Sequence, residues 1–382
     1  MAGSASGAGT DADADADANE TMRLAIARFR SRMAAANQKF LQDRINETEA
    51  KGLATEKQKR RWLCQYRYMD QLEWNDDDPE TRGKCDGIRI PQQTSVRDLD
   101  IPAVLNALPS YVSVDGVVPP LLRTEQWRQM YLDTVQRVCQ GQADAIVASD
   151  DEELDDACYL HHQDHRPMTI PRCDELGIFL KYAQEVMDVD FRLLGIAPFA
   201  PASLIGVQDK ELDGLNEEQR CHKLADPELL KREQEDLQRR LEDELSNGCL
   251  TVCIDEDLEV RAGFITGIGN HYMYECPAWY SAYVYCRRWT DDDKDGSMHK
   301  DEDIQDAANI RNWGWRVVFF EADVDSPSIL YGRRARFDSI PEFLDWYASW
   351  LDHLDARGLL SLRRHAVGCE TDCESDCEDH CP

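Results

Sequence analysis

The side chains best suited by type and spacing to do chemistry lie in two acid-rich stretches. Residues 291–302, "DDDKDGSMHKDE", satisfy D-x-D-x-D-G-x5-E, the pattern of a calcium loop. Asp291, Asp293 and Asp295 take its first, third and fifth positions, and Gly296 permits the sharp turn. Ser297 offers a backbone carbonyl, and Glu302 stands where a bidentate carboxylate closes the cage. Hard oxygen ligands at this spacing suit Ca²⁺. The flank argues the other way, because "SAYVYCRRW" reads as a strand where such a loop requires an incoming helix. So acidic a stretch also matches cheaply by chance, and the plainer reading is a solvated connection between strands. The second stretch is the C-terminal "GCETDCESDCEDHCP", in which Cys369, Cys373, Cys377 and Cys381 recur at every fourth position. Thiolates bind Zn²⁺. On a helix, neighbouring members of the series could share an ion, but Cys369 and Cys381 would stand about 18 Å apart. The acids of the tail oppose both the helix dipole at a C-terminus and the formation of thiolates. An acidic, disordered tail is therefore expected first, metal capture second and a redox role last.

Weaker motifs complete the set. "CYLHHQDH" places Cys158, His161, His162 and His165 close together, a spacing that could hold Zn²⁺. No second pair follows and Cys173 lacks a mate, so a polar linker end is the plainer reading. Cys249 and Cys253 fall on one face of an expected strand and read as apolar filler. "GFITGIGN" has a G-x-G but no third glycine and no helix after it, and is expected to be a turn rather than a nucleotide loop. The aromatic-rich "HYMYECPAWY" fits core and hairpin packing, with a recognition surface as the alternative. No H-E-x-x-H, G-x-S-x-G, P-loop or kinase phrase occurs, so nothing singles out a catalytic group.

Composition bounds what these residues can serve. The chain has 382 residues, 42% of them hydrophobic, with 9 Trp and a net charge of −31. Length predicts two domains with an extra arm. The negative charge is concentrated in 11–20, 150–156, 291–303 and 370–379, and the rest of the chain is only mildly acidic. Such segments repel phosphates, so nucleic acid is not an expected partner. "KQKRR" at 57–61 reads as a solvated helix face, with a nuclear address as the alternative. No apolar run reaches the roughly 18 residues of a membrane helix. "MAGSASGAGTDADADADANE" has neither the basic nor the apolar region of a secretory signal. The expected compartment is the cytoplasm, with the nucleus second, and the 14 cysteines are expected as thiols.

The elements that must carry these motifs follow from periodicity. Residues 1–18 are low complexity and expected disordered. From Asn19 as N-cap, Met22, Ile26, Phe29, Met33, Phe40 and Ile45 recur at helical spacing, and Gly52 ends or just follows that helix. Thr55 and Gln58 form a capping box for a second helix, whose apolar face would run through Trp62, Tyr66 and Met69 to Leu72 and Trp74. Thr124 caps a helix carrying Trp127, Tyr131, Val135 and Val138, with Gly141 as its stop. "ELGIFLKYAQEVM" (175–187) reads as a helix. Residues 226–247 read as an inserted helix with a thin apolar stripe, largely exposed or seeking a partner helix. Strands are expected at 249–254, 259–265, 281–288 and 315–322, and then a helix opened by a Ser339–Glu342 capping box and carrying Phe343, Tyr347, Trp350 and Leu354. Helices and strands are segregated, so the class is α+β, with a helical N-terminal region, a mainly antiparallel sheet flanked by helices, and disordered acidic termini. The domains read as 1–18 arm, 19–147 helical region, 148–165 acidic linker, 166–362 α+β domain and 363–382 Cys-rich tail.

The strand "WRVVFFEAD", the short "SILYG" and the helix "ARFDSIPEFLDWYASWLDHL" together resemble the closing part of the SUKH superfamily, which includes Smi/Knr-type cell-wall regulators and bacterial immunity proteins. Ser339, Phe343 and Leu344 match its Ser-Phe-x-x-Phe-Leu-like phrase, while Ile340 replaces the usual aromatic. The family's early phrase, a Leu-Pro followed by a helix and an Asn-Gly turn, has no clear match, and "MTIPRCDELGIFLKYA" stands in for it with the helix at 226–247 as an insertion. The resemblance spans 249–355. It implies a twisted antiparallel sheet with flanking helices and a role in docking other proteins, with no catalytic residue and no cofactor. The expected function is a non-catalytic protein-interaction or regulatory protein whose partners are proteins and not membranes. A metal-binding protein using the tail or the Asp loop, with Zn²⁺ or Ca²⁺, is the first alternative. An enzyme with a divergent site is the second.

Overall fold

A computed structural model describes residues 10–64, 72–74, 88–91, 93–108, 114–120, 124–148, 167–187, 199–201, 219, 222, 226–246, 258–268, 279–288, 312–321 and 336–349. The protein is α+β, with seven α-helices among the described residues. No helix among them is long and apolar enough to cross a membrane. The chain divides into two compact units, one formed by 1–28, 118–187 and 196–347, the other by 29–117, 188–195 and 348–382.

Helix α1 runs from Thr10 to Ala50, and its residues from Phe29 on belong to the second unit. It begins ahead of Asn19, the expected cap, and takes in part of the segment expected to be disordered. The reason lies in the alanines of "DADADADA", since alanine is the best helix former. Phe29, Met33, Leu41 and Ile45 are buried. Gly52, just past the helix, adopts φ 67°, a left-handed conformation that glycine accepts without penalty. Helix α2 (Glu56–Leu63) opens with the expected capping box. Thr55 Oγ1 accepts from the Gln58 N–H at 3.3 Å, and Gln58 Oε1 accepts from the Thr55 N–H at 3.2 Å.

Helix α2 stops at Leu63. Leu72 and Trp74, expected on its face, lie instead on strand β1 (Leu72–Trp74), which pairs in parallel with β2 (Ile88–Ile90). Pairing with a distant segment outweighs local helical spacing here, and Leu72 is buried in the hydrophobic core. Leu41, Ile45, Leu63, Leu72, Ile90, Val96 and helix α3 (Ile101–Ala107) share one core, with Trp62 and Trp74 packed at its border. Strand β3 (Val117–Val118) ends this stretch.

In the first unit, helix α4 (Glu125–Ala148) takes its cap from Thr124, whose Oγ1 accepts from the Trp127 N–H at 3.3 Å. It runs through Gly141 rather than ending there, because one interior glycine costs only about 1 kcal/mol and the turns on either side continue. Helix α5 (Asp174–Tyr182) is shorter than the 175–187 expected. The chain leaves it so that the Gln184 N–H can donate to the Val118 carbonyl (3.0 Å), and β4 (Glu185–Val186) bridges to Phe199. Helix α6 (Pro227–Ser246) finds the partner its thin stripe requires. Leu229, Leu230 and Leu237 are buried, and α6 packs on α4 and on the sheet.

The sheet is a four-stranded antiparallel meander: β5 (Leu258–Ile268), β6 (Trp279–Arg288), β7 (Gly314–Glu321) and β8 (Arg336–Phe337). Strand β5 extends to Ile268, so most of "GFITGIGN" is strand and not turn. The segments 249–254 and "SILYG", expected as strands, lie outside the described residues, and β8 appears where the sequence suggested no strand. One face carries Leu258, Val260, Ile265, Ala282, Val284, Cys286 and Val318. On the other face, rings gather around helix α7 (Ile340–Tyr347): Phe343 lies 5.3 Å from Phe337 and 6.0 Å from both Phe199 and Phe319, centroid to centroid. Ser339 Oγ accepts from the Glu342 N–H at 3.2 Å, as a capping serine should. The return bond is displaced by one residue: Glu342 Oε2 accepts from the Asp338 N–H at 2.9 Å rather than from Ser339.

Candidate functional site

The sequences "YVY" in β6 and "WGW" at the start of β7 each put two aromatics at strand period, so both pairs face the same side of the sheet. Register sets Tyr285 opposite Trp315 and Tyr283 opposite Val317. Four rings then form a row. Tyr283 stacks on Trp315 at 5.1 Å with planes 10° apart, and Trp315 meets Tyr285 tilted at 5.7 Å. Tyr285 in turn stacks on Trp313 at 5.5 Å and 18°. The tyrosines are buried, whereas Trp313 and Trp315 keep part of their surface exposed. Trp315 is further fixed by its Nε1–H, which donates to the Pro171 carbonyl at 2.8 Å.

At the Trp313 end the row is flanked by cations. The guanidinium carbons of Arg287 and Arg261 lie 5.1 and 5.7 Å from the Trp313 centroid, within cation–π range. The ladder shifts register between Val260 and Ala262, and a bulge of this kind re-aims the side chain it releases, here Arg261. Buried Glu259 accepts from Arg287 Nε at 2.5 Å and from Arg261 Nη2 at 3.4 Å, which offsets one of the two positive charges and tethers both side chains. Gly314, between the two tryptophans, leaves room for Arg316: a Cβ there would stand 3.3 Å from Arg316 Nη1. Arg316 uses that room to donate to the Cys286 carbonyl (2.6 Å) and to Asp338 (2.8 Å).

The inner end of the row reaches a carboxyl group. Glu175 Oε2 accepts from the Tyr283 hydroxyl at 3.4 Å and from the Ile340 N–H, the first of α7, at 3.2 Å. Burial pushes the Glu175 carboxyl up to about 7, against the pull of those two hydrogen bonds, and the nearby Glu342 carboxylate adds to the rise. Burial also raises the Tyr283 phenol well above its usual range. It holds the Cys173 thiol up at about 12 and the Cys286 thiol at about 11, and raises Cys139 further. These thiols are protonated apolar filler and not nucleophiles at neutral pH.

Cys369, Cys373, Cys377, Cys381, Asp291, Asp293, Asp295 and Glu302 lie outside the described residues, as do Cys158, His161, His162, His165, Cys249, Cys253 and most of "HYMYECPAWY". Among the described residues no group of three or more His, Cys, Asp or Glu is arranged to hold a metal ion. The ring row was not singled out by motif. Its signal is the pair of period-two aromatic triplets in neighbouring strands. No protein-family model, curated protein or solved structure matches the chain.

Proposed function

We propose that this chain is a non-catalytic, regulatory protein-binding module that docks its partner through the ring row of the sheet. The observation that carries the reading is the pair of part-exposed tryptophans, Trp313 and Trp315, stacked on buried tyrosines beside two arginines locked by Glu259. Trp, Tyr and Arg dominate binding hot spots, and side chains already immobilised lose little entropy when a partner arrives. The resemblance to the SUKH superfamily supports the same reading. It implies an antiparallel sheet followed by a capped helix and a docking role, and the sequence β5 to β8 followed by α7 agrees with that arrangement.

The test places a photo-crosslinking amino acid at position 313, at position 315, or at exposed Lys57 on α2 in full-length protein expressed in its native cell. Proteins captured from 313 and 315 but not from 57, and lost when the other tryptophan is changed to Ala, are the expected result. Capture of the same proteins from all three positions, unaffected by Trp313→Ala or Trp315→Ala, would overturn it.

A further inference from the structure

The oxygen that ends the ring row belongs to three elements at once. Glu175 stands in the first turn of α5, and its Oε2 accepts from Tyr283 of β6 and from the leading N–H of α7. We propose that the ionisation state of Glu175 sets how α7 seats against β6 and, through Tyr283, how Trp315 packs in the ring row. The consequence for partner binding rests on the function proposed above. The coupling itself is a property of the protein alone.

The surroundings leave the two states of this carboxyl finely balanced. Ionised, it is held by an N–H at the positive end of a helix and by a phenol. Protonated, it becomes a weak acceptor, and both bonds loosen. Among the described residues no cation pairs with it. From β6 it faces the neutral, fully buried Tyr283, and from α7 the Glu342 carboxylate, which opposes its charge. In the turn before α7, Asp338 is occupied by Arg316 at 2.8 Å. On α5 itself, Asp174 lies within 3.5 Å of Arg172, whose guanidinium also reaches Gln129 and Asp133 of α4, and Cys173 is a protonated thiol. Cys139 and Tyr131 of α4 are likewise raised and neutral. Burial accordingly places the Glu175 equilibrium at about 7. Tyr283 passes the change on, since its ring is stacked on Trp315.

The experiment follows the Ile340 amide and the Trp315 indole N–H of the ¹⁵N-labelled full chain, without any partner, between roughly pH 5.5 and 8.5, a window in which an ordinary carboxyl does not titrate. Both signals are expected to move with one shared midpoint. Glu175→Gln should flatten both, and Glu342→Gln, which removes the opposing charge, should move the midpoint to lower pH. Absence of a common transition, its persistence in Glu175→Gln, or an unmoved midpoint in Glu342→Gln would each overturn the coupling. The Glu342→Gln arm stands by itself if Glu175→Gln does not fold. Because no partner is present, failure here leaves the crosslinking result intact, and the reverse also holds.

Discussion

Stability offers a second and quantitative handle on Glu175. The carboxyl is held at about 7 in the folded protein against 4.5 for the free side chain. At about 1.4 kcal/mol per pH unit this difference corresponds to at most about 3.5 kcal/mol, brought down to roughly 2 to 3 kcal/mol because Glu175 keeps part of its surface in water. The sign follows from proton binding. Between the two values the folded state holds a proton that the unfolded state has released, so the stabilisation is fully present below about pH 4.5 and is lost as pH rises through about 7. Glutamine can still accept from Tyr283 and Ile340 and does not titrate. The stability of Glu175→Gln minus that of the unmodified protein should therefore climb by about 2 to 3 kcal/mol from about pH 4.5 to about pH 8 and then level off. Matched urea unfolding curves across this range measure it, and taking the difference cancels every other titrating group. A flat difference, or one that falls as pH rises, would refute the reasoning.

Two further substitutions test the sheet and the ring cluster. Gly263→Ala would put a Cβ 2.6 Å from Val284 Cγ1 and 2.8 Å from the Tyr283 carbonyl oxygen. Since backbone cannot yield cheaply, a loss of about 2 to 3 kcal/mol is expected from urea midpoints. Phe343→Ala empties the position shared by Phe199, Phe319 and Phe337, with an expected loss of about 3 to 5 kcal/mol and a weakened near-UV circular dichroism signal.

The parts of this architecture that depend on neighbours in sequence were the legible ones. The Thr55 box, the Thr124 and Ser339 caps, the apolar stripe of α1 and the α+β class all rest on short-range spacing. Boundaries set by distant partners were not legible. Leu72 and Trp74 suit a helix until Ile88–Ile90 arrives to pair with them, and α5 ends early because Val118 and Phe199 claim the backbone beyond it. Gly141 suggests a stop by sequence, yet one glycine is a small cost inside a long helix with packed neighbours. At the site, the ring pairs can be read from strand period, whereas the role of Glu175 cannot. Its partners lie 108 and 165 residues away, and nothing near position 175 distinguishes it from an ordinary first-turn acid.

The broken ladder of β5 bears on how this protein keeps company with its own kind. Among the described residues β5 and β8 are the outer strands of the sheet, and an outer strand offers unpaired backbone to any passing chain. Strand β5 shifts register twice, at Val260/Ala262 and at Ile265/Gly267, which bends it away from the flat template that edge-to-edge growth requires. Strand β8 presents only Arg336 and Phe337. Among the described residues neither border invites stacking of sheets into filaments, and polymerisation through the backbone of the sheet is discouraged.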